Sequence, residues 1–283
     1  MTKPKNDYFI DPESAAEMAR LLMQDRVYTE VLEENFPIPV LQPGSRIIDI
    51  GCGPGGWLLN LVKNSITQGI TAVGVDIDKK MIQYAQGQAE ALELEENISF
   101  EEMDISIIPW PLPDASFDLV HGRLIGFFPP PLWATIISEM VRIARPGGIV
   151  RLTETEMSVS NHSPALEQEH QWFFQSLYRS GQSHSSDGHR VTITASLAAG
   201  LRRSGLHNVQ ARACALEWSS GTRAHSTMFE DFQIGFKLLE PFYLATGIAT
   251  QDEINQTFTH MVEQMQQPDF TALQYFLTAQ GLK

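Results

Sequence analysis

A glycine-rich segment between a predicted strand and a predicted helix constrains the fold of this chain most. The segment is Asp49-Ile50-Gly51-Cys52-Gly53-Pro54-Gly55-Gly56, and it follows a β-branched run and precedes an apolar-periodic stretch. Glycines let a backbone turn tightly and approach a ligand, and the helix N-terminus behind them offers unpaired N–H groups. The segment predicts a ligand-binding loop at a sheet edge, although it also satisfies the dinucleotide fingerprint.

Strands and helices alternate around this loop. The sequence predicts strands at 46–50, 71–75, 98–103, 117–122, 149–154, 209–218 and 272–277. It predicts helices at 11–36, 57–66, 79–94, 132–144, 163–179, 195–204, 227–246 and 251–266. This rhythm indicates an α/β protein with a Rossmann-like, doubly wound, seven-stranded sheet and a helical cap.

Three regions are expected along the chain. Residues 1–40 form an N-terminal lid helix region, and residues 41–157 form the Rossmann-like core that binds the cofactor. Residues 158–283 complete the sheet and add inserted cap helices, which we expect beside or over the carboxyl edge of the sheet.

Carboxylates at three successive strand ends discriminate between cofactors. Asp49 would face the pyrophosphate of a dinucleotide, whereas it can accept hydrogen bonds from a cationic amine. Asp76 can accept both hydroxyls of a ribose, which the candidate adenosine cofactors share, so this residue alone does not discriminate. Asp104 can accept an adenine amine while Met103 and Ile105 pack on the ring. This set favours an adenosine cofactor with an ammonium-bearing arm.

These motifs together resemble the class I S-adenosylmethionine-dependent methyltransferases, in particular the small-molecule group similar to quinone-biosynthesis methyltransferases. The resemblance is carried by segments 47–55, 73–78, 102–104, 112–120 and 145–148. It implies S-adenosyl-L-methionine as cofactor and S-adenosyl-L-homocysteine as product. It also implies an antiparallel final strand near one edge of the sheet, and the segment around Arg20 and Gln24 looks like the lid helix of that group.

The resemblance and the motifs define a candidate site. The expected cofactor-binding residues are Arg20, Gln24, Asp49, Gly51, Cys52, Gly53, Asp76, Ile77, Met103, Asp104, Ile105, His121 and Gly122. A guanidinium such as that of Arg20 suits the cofactor's carboxylate, with an exposed polar stripe as the alternative.

Catalytic and acceptor-binding groups are expected after the fourth strand. The catalytic candidates are His121 and Arg123, and His121 is the candidate base if the acceptor atom is oxygen or carbon. A purely structural histidine remains the open alternative. The candidates for contact with the acceptor are Tyr8, Phe127 and Phe128, the last two in a proline-stiffened loop.

Charge and cysteine content limit the partners. With 34 acidic and 20 basic residues the formal net charge is −14, which disfavours nucleic acid and anionic membranes. The two cysteines read as unpaired thiols, so we expect a reducing, cytoplasmic location. We also expect a monomer or homodimer that acts on a small molecule. No metal is expected, because the spacing of His162, His170, His184 and His189 matches no familiar ligand pattern and the serine-rich loop among them suggests solvated surface.

Two other functions share these features. An NAD(P)-dependent Rossmann oxidoreductase would use a similar loop, but none of the six tyrosines has the lysine four residues on that the commonest short-chain type needs. A non-catalytic sensor that binds an adenosine cofactor is the second alternative, since a fold does not determine a function.

Overall fold

The computed structural model describes residues 15–65 and 68–283. Its strands are β1 (Arg46–Ile50), β2 (Thr71–Asp76), β3 (Ile98–Glu102), β4 (Phe117–Arg123), β5 (Ala144–Ser160), β6 (His207–Glu217) and β7 (Ala272–Leu282). Its helices are α1 (Ala15–Asn35), α2 (Gly56–Ser65), α3 (Lys79–Ala91), α4 (Pro130–Ile143), α5 (Pro164–Arg179), α6 (Ile193–Arg203), α7 (His225–Thr246) and α8 (Gln251–Met265).

The strands form one sheet in the order β3-β2-β1-β4-β5-β7-β6. Strands β1 to β5 run parallel, and β7 lies antiparallel between β5 and β6. This confirms the predicted Rossmann-like α/β fold and the antiparallel final strand. The chain passes from β1 to β2 and β3 on one side and then returns to β4 on the other. Ligands of open α/β sheets bind at such a switch point, outside the carboxyl ends of the strands.

Both faces of the sheet are buried around its central strand β1. Successive side chains of a strand point to opposite faces, so Ile47 packs with α2 and α3 while Ile48 and Ile50 pack with the helices of the other layer. Burial on both sides explains why β1 is apolar without alternation. The acidic residue of this strand, Asp49, is near its carboxyl end, at the switch point.

Two strands, β5 and β7, are longer than predicted by several residues. Residues 145–148, which separate the predicted helix 132–144 from the predicted strand 149–154, are the irregular first part of β5, where Gly147 has φ +75° and the pairing with β4 shifts register. A Cβ at Gly148 would lie 2.8 Å from the carbonyl oxygen of Phe117, so the two backbones approach closely there. Strand β7 continues to Leu282 because it pairs with β5 on one side and β6 on the other. Tertiary pairing therefore extends elements that local patterns end early.

The later helices form a packed layer. Helix α5 contacts α7 and α8, and α1 contacts α7. The aromatic stripe of α5 contributes Trp172, Phe173 and Phe174 to the core, while Tyr178 is exposed. Within residues 15–65 and 68–283, no helix combines the length and the hydropathy that a membrane crossing requires.

Candidate functional site

A cavity opens at the carboxyl ends of β1 to β4 and encloses about 1390 Å³, including the open space at its mouth. It brings together most of the predicted site residues: Gln24, Asp49, Gly51, Cys52, Gly53, Asp76, Ile77, Met103, Asp104, Ile105, His121, Arg123, Phe127 and Phe128. Arg20 and Gly122 are not part of its lining, and Tyr8 lies outside the described residues.

The glycine loop requires its glycines. Gly51 and Gly53 have φ +69° and +53°, a region that favours residues without a Cβ. A Cβ at Gly51 would lie 2.5 Å from Cγ2 of Ile125, so the loop packs tightly against the segment after β4. The N–H groups of Gly51 and Cys52 both donate to the carbonyl of Val75, at 2.8 and 2.9 Å, which anchors the loop on β2.

Asp76 connects the end of β2 to the glycine loop. Its Oδ2 accepts from the N–H of Gly53 at 2.8 Å, and its Oδ1 accepts from the N–H of Asp78 at 2.9 Å. Burial raises the pKa of Asp76, and these two hydrogen bonds oppose the rise. Each carboxylate oxygen has a second lone pair, so the side chain can still accept from a ligand's diol.

Asp104 stands after β3. Its Oδ1 accepts from both the N–H and the hydroxyl of Ser106, at 2.9 and 2.6 Å. Both bonds end on the same oxygen, so Oδ2 can accept a hydrogen bond from an amine in the cavity. The flanking Met103 and Ile105 line the cavity beside it.

His121 and Asp49 form a buried pair at the switch point. Nδ1 of His121 lies 2.7 Å from Oδ1 of Asp49, and the imidazole stacks on Trp57 with ring centroids 3.8 Å apart. Burial lowers the pKa of His121, and the nearby Asp49 opposes this only in part. The neutral ring then donates from Nδ1 to the carboxylate, which leaves the lone pair on Nε2.

Arg123 is held by helix α1. Its guanidinium pairs with Asp25 and donates from NH1 to Oγ1 of Thr29 at 2.9 Å. The hydroxyl of Thr29 in turn donates to Oδ1 of Asp25 at 3.2 Å. Asp25 and Tyr28 line the cavity, and the sequence interpretation missed both. Their helical spacing indicates a shared face but does not show what packs against it.

The structure gives Arg20 a different position from the predicted one. Its guanidinium bonds Glu17 through two nitrogens, at 2.7 and 2.8 Å, and Asp231 of α7 at 3.0 Å. All three residues are buried, and Arg20 is outside the cavity lining. We correct the assignment: Arg20 joins α1 to α7 rather than gripping the cofactor. Gln24, which also bonds Asp231, does line the cavity.

The segment 124–128 forms the apolar wall of the cavity. The N–H of Ile125 donates to Oε1 of Glu154 at 3.0 Å, and burial raises the pKa of Glu154 to about 8. The side-chain amide of Gln182 donates to the carbonyl of Phe127 at 3.2 Å. Gln182 is buried. The serine-rich loop that contains it, which the sequence predicted to be solvated, therefore partly supports this wall. In the part of the chain that the structure describes, no three His, Cys, Asp or Glu side chains are grouped as metal ligands.

Sequence comparisons agree with this geometry. Residues 47–148 match the family described as "Methyltransferase domain". The probable methyltransferase ltbC of Aspergillus luteorubrus is 32% identical over 129 residues, which are 44% of this chain and 44% of that protein. A demethylmenaquinone methyltransferase of Bacillus cereus is 32% identical over 123 residues, which are 44% of this chain and 50% of that protein. The chain therefore spans half or less of the length of these curated relatives.

Solved structures share the fold at low identity. The phosphoethanolamine N-methyltransferase 2 of Haemonchus contortus aligns with a TM-score of 0.55 and 15% identity over 99% of this chain and 61% of that one. The YcgJ protein of Bacillus subtilis aligns with a TM-score of 0.52 and 17% identity over 93% of this chain and 98% of that one. The family match and the relatives' sequences indicate that residues 47–148 are a methyltransferase domain, and the solved structures show that the chain shares the fold of known methyltransferases.

Proposed function

We propose that this protein binds S-adenosylmethionine in the cavity and transfers its methyl group to an oxygen, nitrogen or carbon atom of a small organic acceptor. One observation carries the proposal. The glycine loop, Asp76 and Asp104 belong to the matched segment 47–148 and line the same cavity as His121 and the apolar wall 124–128. A cofactor end and an acceptor end are thus adjacent across the switch point between β1 and β4.

The donor set of the cavity suits this cofactor. Asp76 would accept the ribose hydroxyls, and Oδ2 of Asp104 would accept the adenine amine. Ile77, Met103 and Ile105 would pack on the adenine ring, and the backbone of residues 51–53 would hold the methionine end. At Gly53 an added Cβ would meet nothing closer than Leu21 Cδ1 at 3.9 Å, so space remains above the loop.

The residues at the end of β4 would then prepare the acceptor. When bound, S-adenosylmethionine supplies an electrophilic methyl group on a cationic sulfur, so the work left to the protein is alignment, exclusion of water and removal of a proton. For a hydroxyl acceptor, Nε2 of His121 would take that proton, and Asp49 would orient the ring and stabilise the imidazolium. Arg123, held by Asp25, would position the acceptor rather than exchange protons.

Calorimetry tests the proposal directly. We expect S-adenosylhomocysteine to bind the purified protein with micromolar affinity and NAD to give no signal. NAD binding without any response to S-adenosylhomocysteine would refute the proposal. Release of S-adenosylhomocysteine from S-adenosylmethionine in the presence of an acceptor panel then distinguishes an enzyme from a sensor.

We also propose a cytoplasmic location and a monomeric or homodimeric state. The support for the location is the pair of free cysteines, Cys52 and Cys214, which a reducing compartment keeps as thiols. Light scattering should give the chain mass of 31.7 kDa or twice that value, and a larger mass would contradict the proposed state.

A further inference from the structure

Acidic side chains outnumber basic side chains in the lining of the cavity. Its lining includes five carboxylates, those of Asp25, Asp49, Asp76, Asp78 and Asp104. Of the lining residues that the structure describes, Arg123 is the single lysine or arginine. His121 adds no charge near neutral pH, because burial lowers its pKa. An anionic ligand would therefore depend on Arg123, or on the positive end of a helix dipole, for attraction.

Asp25 cancels the charge of Arg123. The two side chains form an ion pair, with exposed fractions of 20% for Asp25 and 15% for Arg123. Thr29 bonds both partners, at 3.2 Å to Oδ1 of Asp25 and 2.9 Å from NH1 of Arg123, and so holds the pair in place. A second anion near this guanidinium would meet repulsion from Asp25 at a similar distance.

The carboxylate of Asp25 also lies against the second feature that could attract an anion, which is the N-terminus of helix α2. Helix α2 begins at Gly56, and its N-terminus faces the cavity as a ready anion site. A Cβ added at Gly56 would lie 2.5 Å from Oδ2 of Asp25, so the carboxylate sits directly against this helix start. One side chain therefore places negative charge beside both the cation and the helix terminus.

The remaining acceptor end of the cavity is uncharged. Helix α1 contributes Leu21 and Tyr28, and the segment after β4 contributes Ile125, Phe127 and Phe128. Burial raises the pKa of Tyr28 well above its ordinary value, so its phenol remains neutral. An apolar wall of this kind gains free energy from the area that an apolar ligand buries against it.

We propose that Asp25 determines the charge selectivity of the cavity, so that the methyl acceptor is an uncharged, largely apolar organic molecule and phosphorylated acceptors are rejected. The inference rests on the proposed function, because it concerns the acceptor end of the proposed cofactor site.

Two probes with the same ring and different charge test this inference. Protein saturated with S-adenosylhomocysteine is titrated with 2-naphthol and with 2-naphthyl phosphate, and binding is followed by ring fluorescence. We expect 2-naphthol to bind about tenfold more tightly or better, since one unit of opposing charge at short range is worth at least that factor. Equal or tighter binding of the phosphate, or no measurable binding of 2-naphthol, would overturn the inference.

Variants of Asp25 identify the residue responsible. Asp25→Asn keeps the shape and removes the charge, and should increase the affinity for 2-naphthyl phosphate by about tenfold while the affinity for 2-naphthol changes little. Asp25→Glu keeps the charge and should preserve the discrimination. Glu30→Gln is the control, because Glu30 is on the same helix as Asp25 but forms an exposed pair with Arg223. This variant should leave both affinities unchanged.

The controls separate the two proposals. Loss of S-adenosylhomocysteine binding by the unmodified protein counts against the proposed function. Normal S-adenosylhomocysteine binding with unchanged phosphate affinity in a folded Asp25→Asn protein counts against the role of Asp25 alone. If Asp25→Asn does not fold, Asp25→Ser, which also removes the charge, takes its place in the same comparison, and unchanged phosphate affinity in that variant would overturn the role of Asp25.

Discussion

Nδ1 of His121 lies 2.7 Å from Oδ1 of Asp49, and these two residues are register partners on the adjacent strands β4 and β1. Register partners of parallel strands project to the same face, so the sheet itself holds the pair together. Both side chains are buried, and no flexible loop separates them. If His121 acts as the proposed base, this placement would let it take a proton with little reorganisation when an acceptor binds.

The first prediction concerns this pair. In a double-mutant cycle with His121→Ala and Asp49→Ala, we expect a coupling of about 1.5–3 kcal/mol in the free energy of unfolding, the usual value for a hydrogen bond to a charged group. The buried Thr153–Thr278 bond of the same sheet, 2.8 Å long and uncharged, is the control and should give about 0.5–1.5 kcal/mol. Equal couplings in the two cycles would mean that the Asp49 bond is not charge-assisted.

The second prediction concerns Asp76. Asp76→Ala should weaken S-adenosylhomocysteine binding by about 1.5–3 kcal/mol, because bonds from the ligand to a charged acceptor are lost. Asp76→Asn, which keeps one acceptor oxygen, should weaken it less. Asp114→Ala, at an exposed carboxylate paired with Arg142, should leave the dissociation constant unchanged in calorimetry. Unaltered binding by a folded Asp76→Ala protein would remove this residue from the cofactor site.

The third prediction follows from the corrected position of Arg20. Arg20→Ala leaves the buried carboxylates of Glu17 and Asp231 without their cation, so the free energy of unfolding should fall by about 3–5 kcal/mol. Arg223→Ala, which breaks an exposed pair with Glu30 of α1, should cost less than about 1 kcal/mol. Denaturant unfolding measures both changes. A large rise in the dissociation constant of S-adenosylhomocysteine without loss of stability would restore Arg20 to the cofactor site.

The fourth prediction concerns the pH dependence of stability. Burial raises the pKa of Glu154 from 4.5 to about 8, so the folded protein holds this proton more tightly than the unfolded chain does. Its contribution is fully present below pH 4.5 and is lost as the pH rises to about 8. Relative to Glu154→Gln, the unmodified protein should lose about 1.4 kcal/mol per pH unit in this window. Urea unfolding at several pH values measures the difference, and parallel stability curves would contradict it. Glu263→Gln, at a position outside the buried core, is the control.

The fifth prediction concerns α1. Leu21, Gln24 and Tyr28 line the cavity from this helix, so a bound ligand should restrict its opening. Hydrogen exchange should slow across residues 18–31 when S-adenosylhomocysteine is added, and exchange in α8 should not change. Identical hydrogen-exchange rates in α1 with and without ligand would mean that this helix packs on the core but does not respond to the ligand.

Local patterns accounted for the parts of the protein that depend on neighbouring residues. The glycine loop could be predicted because its turn needs positive φ at Gly51 and Gly53, and this need is visible in the sequence. The alternation of elements predicted a parallel sheet, and parallel strands bring their carboxyl ends to one edge. For this reason the strand pattern was enough to predict that Asp49, Asp76 and Asp104 lie near one another, and all three line the cavity.

Tertiary packing decided which charged side chains meet. Arg20 pairs with Asp231, 211 positions later, and Arg123 pairs with Asp25, 98 positions earlier. Helical periodicity shows that α1 has an apolar face, but not that α7 and the end of β4 supply the partners of its polar groups. A charged side chain can pair with any opposite charge that lies close to it in the folded protein. An ion pair between distant segments therefore depends on how whole helices and strands pack. The sequence alone therefore determined the sheet and its cofactor edge, whereas the packing of α1 decided which charges remain to face a ligand.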